Sequence, residues 1–143
     1  MAGEFADGVH VHPLNTPTYV AETLKPNLAQ GAARAGRDAD DLAVLIPSFT
    51  VVGDTDKERT HWREMSRTMV AFYGSTPNYG FVFDQLGREG TTAAIRERQK
   101  AGDMAGMASG IDDNLLDHFV VEGTWDDLPE RIGERYAGIG PPT

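Results

Sequence analysis

Apolar positions recur along this chain with two different periods, and the alternation between them organises it. Val9 and Val11 alternate with His10 and His12, the period-two pattern of a short strand with valines on one face and histidines on the other. Thr16-Pro17 is a helix start, Thr16 as N-cap and Pro17 at the first helical position. Val20, Leu24, Leu28, Ala32 and Ala35 follow at helical spacing, with Pro26 predicted to kink the helix and Gly36 to stop it. Leu42 to Val52 is a nearly continuous apolar run rich in β-branched residues. It suits a strand buried on both faces of a parallel sheet, with Pro47 out of place in a central strand.

Beyond it, Asp54 or Thr55 caps a long helix whose predicted buried stripe is Trp62, Met65, Met69 and Phe72, with Lys57, Glu58, Arg59 and Arg67 on the solvated face. Thr76-Pro77 opens a short helix carrying Phe81, Val82 and Leu86. Gly87 to Gly110 is weakly periodic and is expected to hold short helices that pack on other elements. Asp112 caps a helix reaching Phe119, Val120-Val121 is extended, and Gly123-Thr124 leads into a last helix with Leu128, Ile132 and Tyr136 four apart. Gly3 to Ala6 reads as the end of a helix, punctuated by Asp7-Gly8.

Strands alternating with amphipathic helices predict an α/β fold with parallel pairing. Only two strands are convincing, and a two-stranded parallel sheet is a poor independent structure. Either the helices dominate the fold or part of the sheet lies in another chain.

Composition narrows the function. The 143 residues fit one domain, expected over 1–137 with a flexible tail over 138–143 that holds two glycines and two prolines. Lys and Arg total 13 against 22 Asp and Glu, a formal net charge of −9 that repels nucleic acid and anionic membrane surfaces. The absence of cysteine excludes disulfides, thiol nucleophiles and cysteine metal sites, and agrees with a cytoplasmic setting. The first residues show no basic start with an apolar run, so no secretory signal is expected.

Five segments in order carry a resemblance: Ala6-Asp7-Gly8-Val9-His10-Val11-His12-Pro13, Gly31 to Arg37, Val51-Val52-Gly53-Asp54-Thr55-Asp56, Ala71 to Pro77, and Phe119 to Leu128. Together they resemble the luciferase-like monooxygenase superfamily, in particular its branch that uses coenzyme F-420. The resemblance implies the C-terminal part of a (β/α)8 TIM-type barrel with a helical insertion. It implies hydride transfer between a reduced deazaflavin or flavin, coenzyme F-420 or FMN, and an organic substrate. Complete barrels of this kind run to about 250 residues. The chain is therefore expected to be an incomplete barrel that lacks most of the cofactor cradle, including a phosphate loop before Met1, and to be inactive alone. A homodimer, or a companion chain completing the barrel, is the expected partner. The alternative is a non-catalytic remnant or a self-associating interaction protein.

Within that frame His10 and His12 are the candidate pocket residues. Both leave the strand face opposite the valines, and His12 lies near the strand's C-terminal end, where barrel enzymes keep their active sites. A neutral imidazole there hydrogen-bonds substrate or cofactor, or shuttles protons; two structural histidines at a strand end explain the same residues. His10, His12 and Asp7 specify no third metal ligand with His61 and His118 on other helices, so no metal is expected. Thr124 reads as an ordinary N-cap rather than an anion site, because Asp126 and Asp127 repel a phosphate there. Ser48, Ser66, Ser75 and Ser109 have no neighbouring base, which removes nucleophilic hydrolysis.

Overall fold

A computed structural model describes residues 1–139. The expected tail over 138–143 falls mostly outside them. Gly138 and Ile139 form a turn, and the Ile139 carbonyl accepts from Lys25 Nζ at 2.5 Å. The chain opens with helix α1 (Ala2–Phe5) and strand β1 (Gly8–His10), then a helical run made of α2 (Pro17–Tyr19), a π turn (Val20–Leu24) and α3 (Lys25–Arg34). Strands β2 (Ala43–Leu45) and β3 (Phe49–Val52) precede the 19-residue helix α4 (Asp56–Gly74). Four short helices follow: α5 (Gly80–Asp84), α6 (Thr91–Lys100), α7 (Met104–Ser109) and α8 (Asp113–Asp117). Strand β4 (Val120–Gly123) and helix α9 (Leu128–Arg135) complete the described chain.

Pairing is parallel throughout. β1 pairs with β2 in the register Gly8–Ala43, Val9–Val44, His10–Leu45, and β3 pairs with β4 in the register Phe49–Val120 to Val52–Gly123. The single apolar strand expected over Leu42–Val52 is thus two strands. Pro47 sits at the break, where its missing N–H cannot serve a ladder. One strand of sequence serves two ladders, and four strands are formed where two were convincing, because β4 is only four residues long and carries little periodic signal.

The caps expected from sequence are in place. Thr16 Oγ1 accepts from Tyr19 N at 3.0 Å ahead of Pro17. Thr55 and Glu58 form a reciprocal capping box on α4. Asp112 Oδ1 accepts from Leu115 N at 2.8 Å at the start of α8. The helical run continues through Pro26, which sits in the first turn of α3 directly after the π turn, where its missing N–H is tolerated. α1 crosses α3 backbone to backbone, since a methyl on Gly3 would stand 2.2 Å from the Leu28 carbonyl oxygen and one on Gly31 3.1 Å from Gly3 Cα.

The core is unevenly distributed. Around β3 and β4 it gathers Val51, Val70, Ala71, Phe83, Ile95, Met107, Ile111, Leu115, Leu116, Phe119 and Val120. The weakly periodic stretch supplies Ile95 and Met107, so its helices do pack on other elements. Around β1 and β2 only Leu28, Ala32 and Leu42 are buried, with Val9, Leu24 and Val44 partly covered.

The stripe expected to bury Trp62, Met65, Met69 and Phe72 is corrected. Trp62, Met65 and Phe72 are 45%, 47% and 49% exposed, and α4 instead buries Ser66, Val70, Ala71 and Gly74. Small residues win the inner face because the helix comes very close to its neighbours: a methyl on Gly74 would stand 2.6 Å from the Phe83 ring. The inner side also accommodates arginine. Arg63 pairs with Asp117 at 2.5 Å and Glu122 at 2.9 Å, and Arg67 with Glu64 and Asp113. On α5, Phe81 is 42% exposed, while Val82 and Phe83 are buried.

α4 packs on β3 and α9 on β4. Val51 and Glu122 share one face, where Glu122 bonds Arg63 of α4. Val52 and Gly123 share the other, where a methyl on Gly123 would meet Asp127 at 2.3 Å and Arg131 of α9 at 2.9 Å. The end of α9 reaches back to the strand break through a hydrogen bond between Tyr136 and Ser48.

Candidate active site

The exit of β1 is a polar turn fixed by side-chain hydrogen bonds. The alternation holds through His10: Val9 packs toward Leu28 and Ala32, Val11 is buried, and His10 is exposed beside Leu45, itself 56% exposed. Val11 N still donates to Leu45 O at 2.9 Å, and the chain then turns. His12 therefore leaves the strand environment that His10 keeps. Its ring stacks on Tyr79, centroids 4.6 Å apart, and meets Tyr73 edge-on at 4.8 Å. The two candidate histidines thus have different surroundings, one open and one walled by rings.

His12 is held as a neutral imidazole with a donor N–H. Its Nδ1 accepts from Leu14 N at 3.1 Å, which assigns the ring proton to Nε2. Burial pushes its pKa below the ordinary histidine value. Asn15, almost wholly buried, fixes this turn. Its Nδ2 donates to His12 O and Pro47 O at 2.9 Å each, binding the exit of β1 to the break between β2 and β3. Asn15 Oδ1 is buried without a partner. Sequence reasoning missed Asn15; the only signal was a polar residue just before the Thr16 cap, which an ordinary turn explains equally well.

At the other strand ends, Trp125 N donates to Asp54 Oδ1 at 3.4 Å, joining the loops after β3 and β4. Both helix N-termini there are already served by carboxylates. Glu58 Oε2 accepts from Thr55 N at 3.0 Å, and its pKa lies below the usual range because the Thr55 hydroxyl and amide bond its charged form. Asp127 Oδ1 accepts from Thr124 N at 2.6 Å while Thr124 Oγ1 accepts from Asp127 N at 3.3 Å; Arg131 chiefly holds the Asp127 carboxyl low. Thr124 closes the turn ahead of α9, whose N-cap position is taken by Asp127 and not, as expected, by Thr124. Ser48 bonds Tyr136 and has no adjacent base. Among the described residues no three His, Asp or Glu side chains converge as metal ligands, and no helix is long and apolar enough to cross a membrane.

Residues 1–142 match the family model for luciferase-like monooxygenases. The chain belongs to that family. The family member of Archaeoglobus fulgidus named 5,10-methylenetetrahydromethanopterin reductase is 36% identical over 142 residues, covering 94% of this chain and 40% of that protein. An uncharacterised protein of Mycobacterium tuberculosis is 34% identical over 139 residues, covering 97% of this chain and 41% of its own length. The solved structure of a coenzyme F-420-dependent tetrahydromethanopterin reductase from Methanopyrus kandleri superposes with a TM-score of 0.71 at 24% identity, over 99% of this chain and 42% of that one. The fold is accordingly the α/β fold of a partial barrel, and the chain spans about two fifths of the length of these relatives.

Proposed function

We propose that this chain is part of a luciferase-like oxidoreductase that moves hydride between coenzyme F-420 and an organic substrate. The observation that carries the reading is the family match across residues 1–142. Relatives named as methylenetetrahydromethanopterin reductases, and one from Nakamurella multipartita named as an F-420-dependent glucose-6-phosphate dehydrogenase, favour the deazaflavin over FMN.

The described residues fit only half of such a cofactor. A planar ring suits the open face at His10 and Leu45 and the ring-walled His12. An anionic tail does not: Glu58 and Asp127 already serve the helix N-termini, and Arg59, Arg63, Arg67 and Arg131 are each ion-paired. We therefore derive no step through the cofactor from these residues. His12 contributes a neutral imidazole whose Nε2–H donates to a substrate or cofactor oxygen, and His10 is a second polar group on the open face. The chain alone turns over no substrate, and it works in a homodimer or with a companion chain that completes the sheet.

A non-catalytic, self-associating protein is the second reading, favoured by the same lack of an anion cradle. A chimera decides between them. The matching 142-residue segment of the Archaeoglobus reductase is replaced by this chain, and the purified product is mixed with oxidised coenzyme F-420 or FMN and gel-filtered. Retention of the deazaflavin by the chimera, with none retained by the chain alone, supports the oxidoreductase reading. A folded chimera that retains neither chromophore sinks it.

A further inference from the structure

The two tyrosines around His12 are explained by packing only at their inner ends, where their rings lean on the core around β3 and β4. Tyr73 lies in the last turn of α4, and Tyr79 closes the tight turn Pro77–Tyr79. The chain around them fixes both positions. Buried Ser75 donates through Oγ to the Phe72 carbonyl at 2.8 Å, and Tyr79 N donates to Thr76 O at 3.0 Å. Further along, the Phe81 ring meets Tyr19 at 5.6 Å, and Gln85 Nε2 donates to Thr23 Oγ1 at 2.8 Å. Those contacts tie the segment to the helical run that follows β1. On this braced frame Tyr79 stacks on the imidazole at 27°, and Tyr73 stands at 89° to it.

Their outer ends are free. Among the described residues, His12 Nε2–H and the two phenol hydroxyls have no hydrogen-bond partner and are not enclosed. We propose that His12, Tyr73 and Tyr79 form a subsite that binds the carbonyl oxygen of a neutral, ring-bearing organic compound. The inference rests on the oxidoreductase reading above and names the class of its organic substrate. The donor set selects the oxygen. Leu14 N occupies Nδ1, so the neutral imidazole can only donate from its other nitrogen. A phenol donates or accepts, and beside a fixed donor two phenols complete a cradle for an acceptor. A carbonyl oxygen with two lone pairs fits that set, whereas an N–H group would find acceptors in the phenols alone.

The rings select what carries the oxygen. Ring planes nearly at right angles form a corner that a flat apolar body fills by stacking or edge contact. Charge selects a neutral compound. Among the described residues no lysine or arginine bonds His12 or stacks on Tyr73 or Tyr79, and the one cation–π contact is that of Arg135 with Tyr136. A carboxylate or phosphate would enter this corner uncompensated, in a chain whose net charge is −9. Burial, which lowers the His12 pKa, keeps the imidazole uncharged as well.

Titration of the isotope-labelled chain with acetophenone, followed by heteronuclear NMR of the His12 imidazole, tests it. Acetophenone should move the Nε2 resonance and bind with a dissociation constant on the order of 1 mM, as suits so small a probe. Benzoate has the same size and carries a charge, and it should bind about 10-fold more weakly or worse. Tyr73→Phe and Tyr79→Phe keep the ring packing and lose only the hydroxyl, so each should weaken acetophenone by about 3- to 10-fold. Benzoate binding as tightly as acetophenone, no response of His12 to acetophenone, or a response that both phenylalanine variants leave unchanged overturns the proposal. The deazaflavin chimera reads out separately. Retention of coenzyme F-420 by the chimera, with no acetophenone response in the chain, sinks this inference alone. The reverse pattern sinks the oxidoreductase reading and leaves the carbonyl subsite standing.

Discussion

The two ladders of this molecule share one stretch of sequence, Ala43 to Val52, and end up with opposite characters. β3 and β4 are enclosed: Val51 is fully buried, and thirteen described residues form the core around them. β1 and β2 are covered on one side by Leu28 and Ala32 of α3 together with Leu42, and on the other side His10 and Leu45 stand open. What separates them is the supply of large side chains from elsewhere. The insertion helices α5 to α8 bring Phe83, Ile95, Met107, Leu115 and Leu116 to the first ladder, and nothing comparable reaches the second. Stability therefore concentrates at β3–β4, while the polar chemistry of the candidate site sits on the less covered ladder and at its exit. That division between a rigid scaffold and looser functional segments is common in enzymes.

Four substitutions break or sharpen this contrast. Phe83→Ala removes a fully buried ring and should cost about 3 to 5 kcal/mol, seen as a large fall in the denaturant midpoint. Leu28→Ala, the matching deletion in the smaller cluster, should cost about 2 kcal/mol, at the low end for a buried leucine, because its surroundings collapse easily. Hydrogen exchange should then show β1 and β2 opening while β3 and β4 stay protected. Equal losses from both substitutions would mean the two ladders form a single cooperative unit.

The third concerns His12. Because burial lowers its folded pKa, the unfolded chain takes up the proton first as pH falls below the ordinary value of 6.5. Its contribution is fully present above that value and is lost as pH falls toward the lowered folded value. A thermal midpoint measured against pH should fall on the acid side of 6.5 more steeply for the wild type than for His12→Gln. Identical slopes would remove the burial from the account. The smallest effect is expected from Met65→Ala, within about 0.5 kcal/mol of wild type, as for a surface site. A loss of about 2 to 5 kcal/mol, the cost of a core methionine, would restore the inward stripe that periodicity alone suggests.

Much of this arrangement was legible in the sequence, and the failures share a cause. Thr16, Thr55 and Asp112 announce their helices because a cap is a local contact between residues two or three apart. The valine–histidine alternation at β1 is local in the same sense. The inner face of α4 was not legible, because hydrophobic size ranks Trp62 and Met65 above Ser66 and Gly74, whereas the neighbours demanded small residues. Leu45 and Phe49 likewise belong to one apolar run, and only the tertiary partners divide it between two ladders. His12 was found from its strand position; its aromatic walls, Tyr73 and Tyr79, come from a segment more than sixty residues away, and Asn15 became significant only once Pro47 was known to face it.

The break at Pro47 has a mechanical consequence. The segment from Ala43 to Val52 is the only covalent strand shared by both ladders, so tension on one passes to the other through Ile46, Pro47 and Ser48. Those three residues make no ladder pairs. The joint is braced from one side by the Asn15 amide on the Pro47 carbonyl and from the other by Tyr136 on Ser48. Two side-chain hydrogen bonds form a softer splice than a run of paired backbone. Under load the chain should yield here first, releasing Gly8–Leu45 as a unit while the β3–β4 block holds its shape, so that Asn15 and Tyr136 act as rivets between a pliable half and a stiff one.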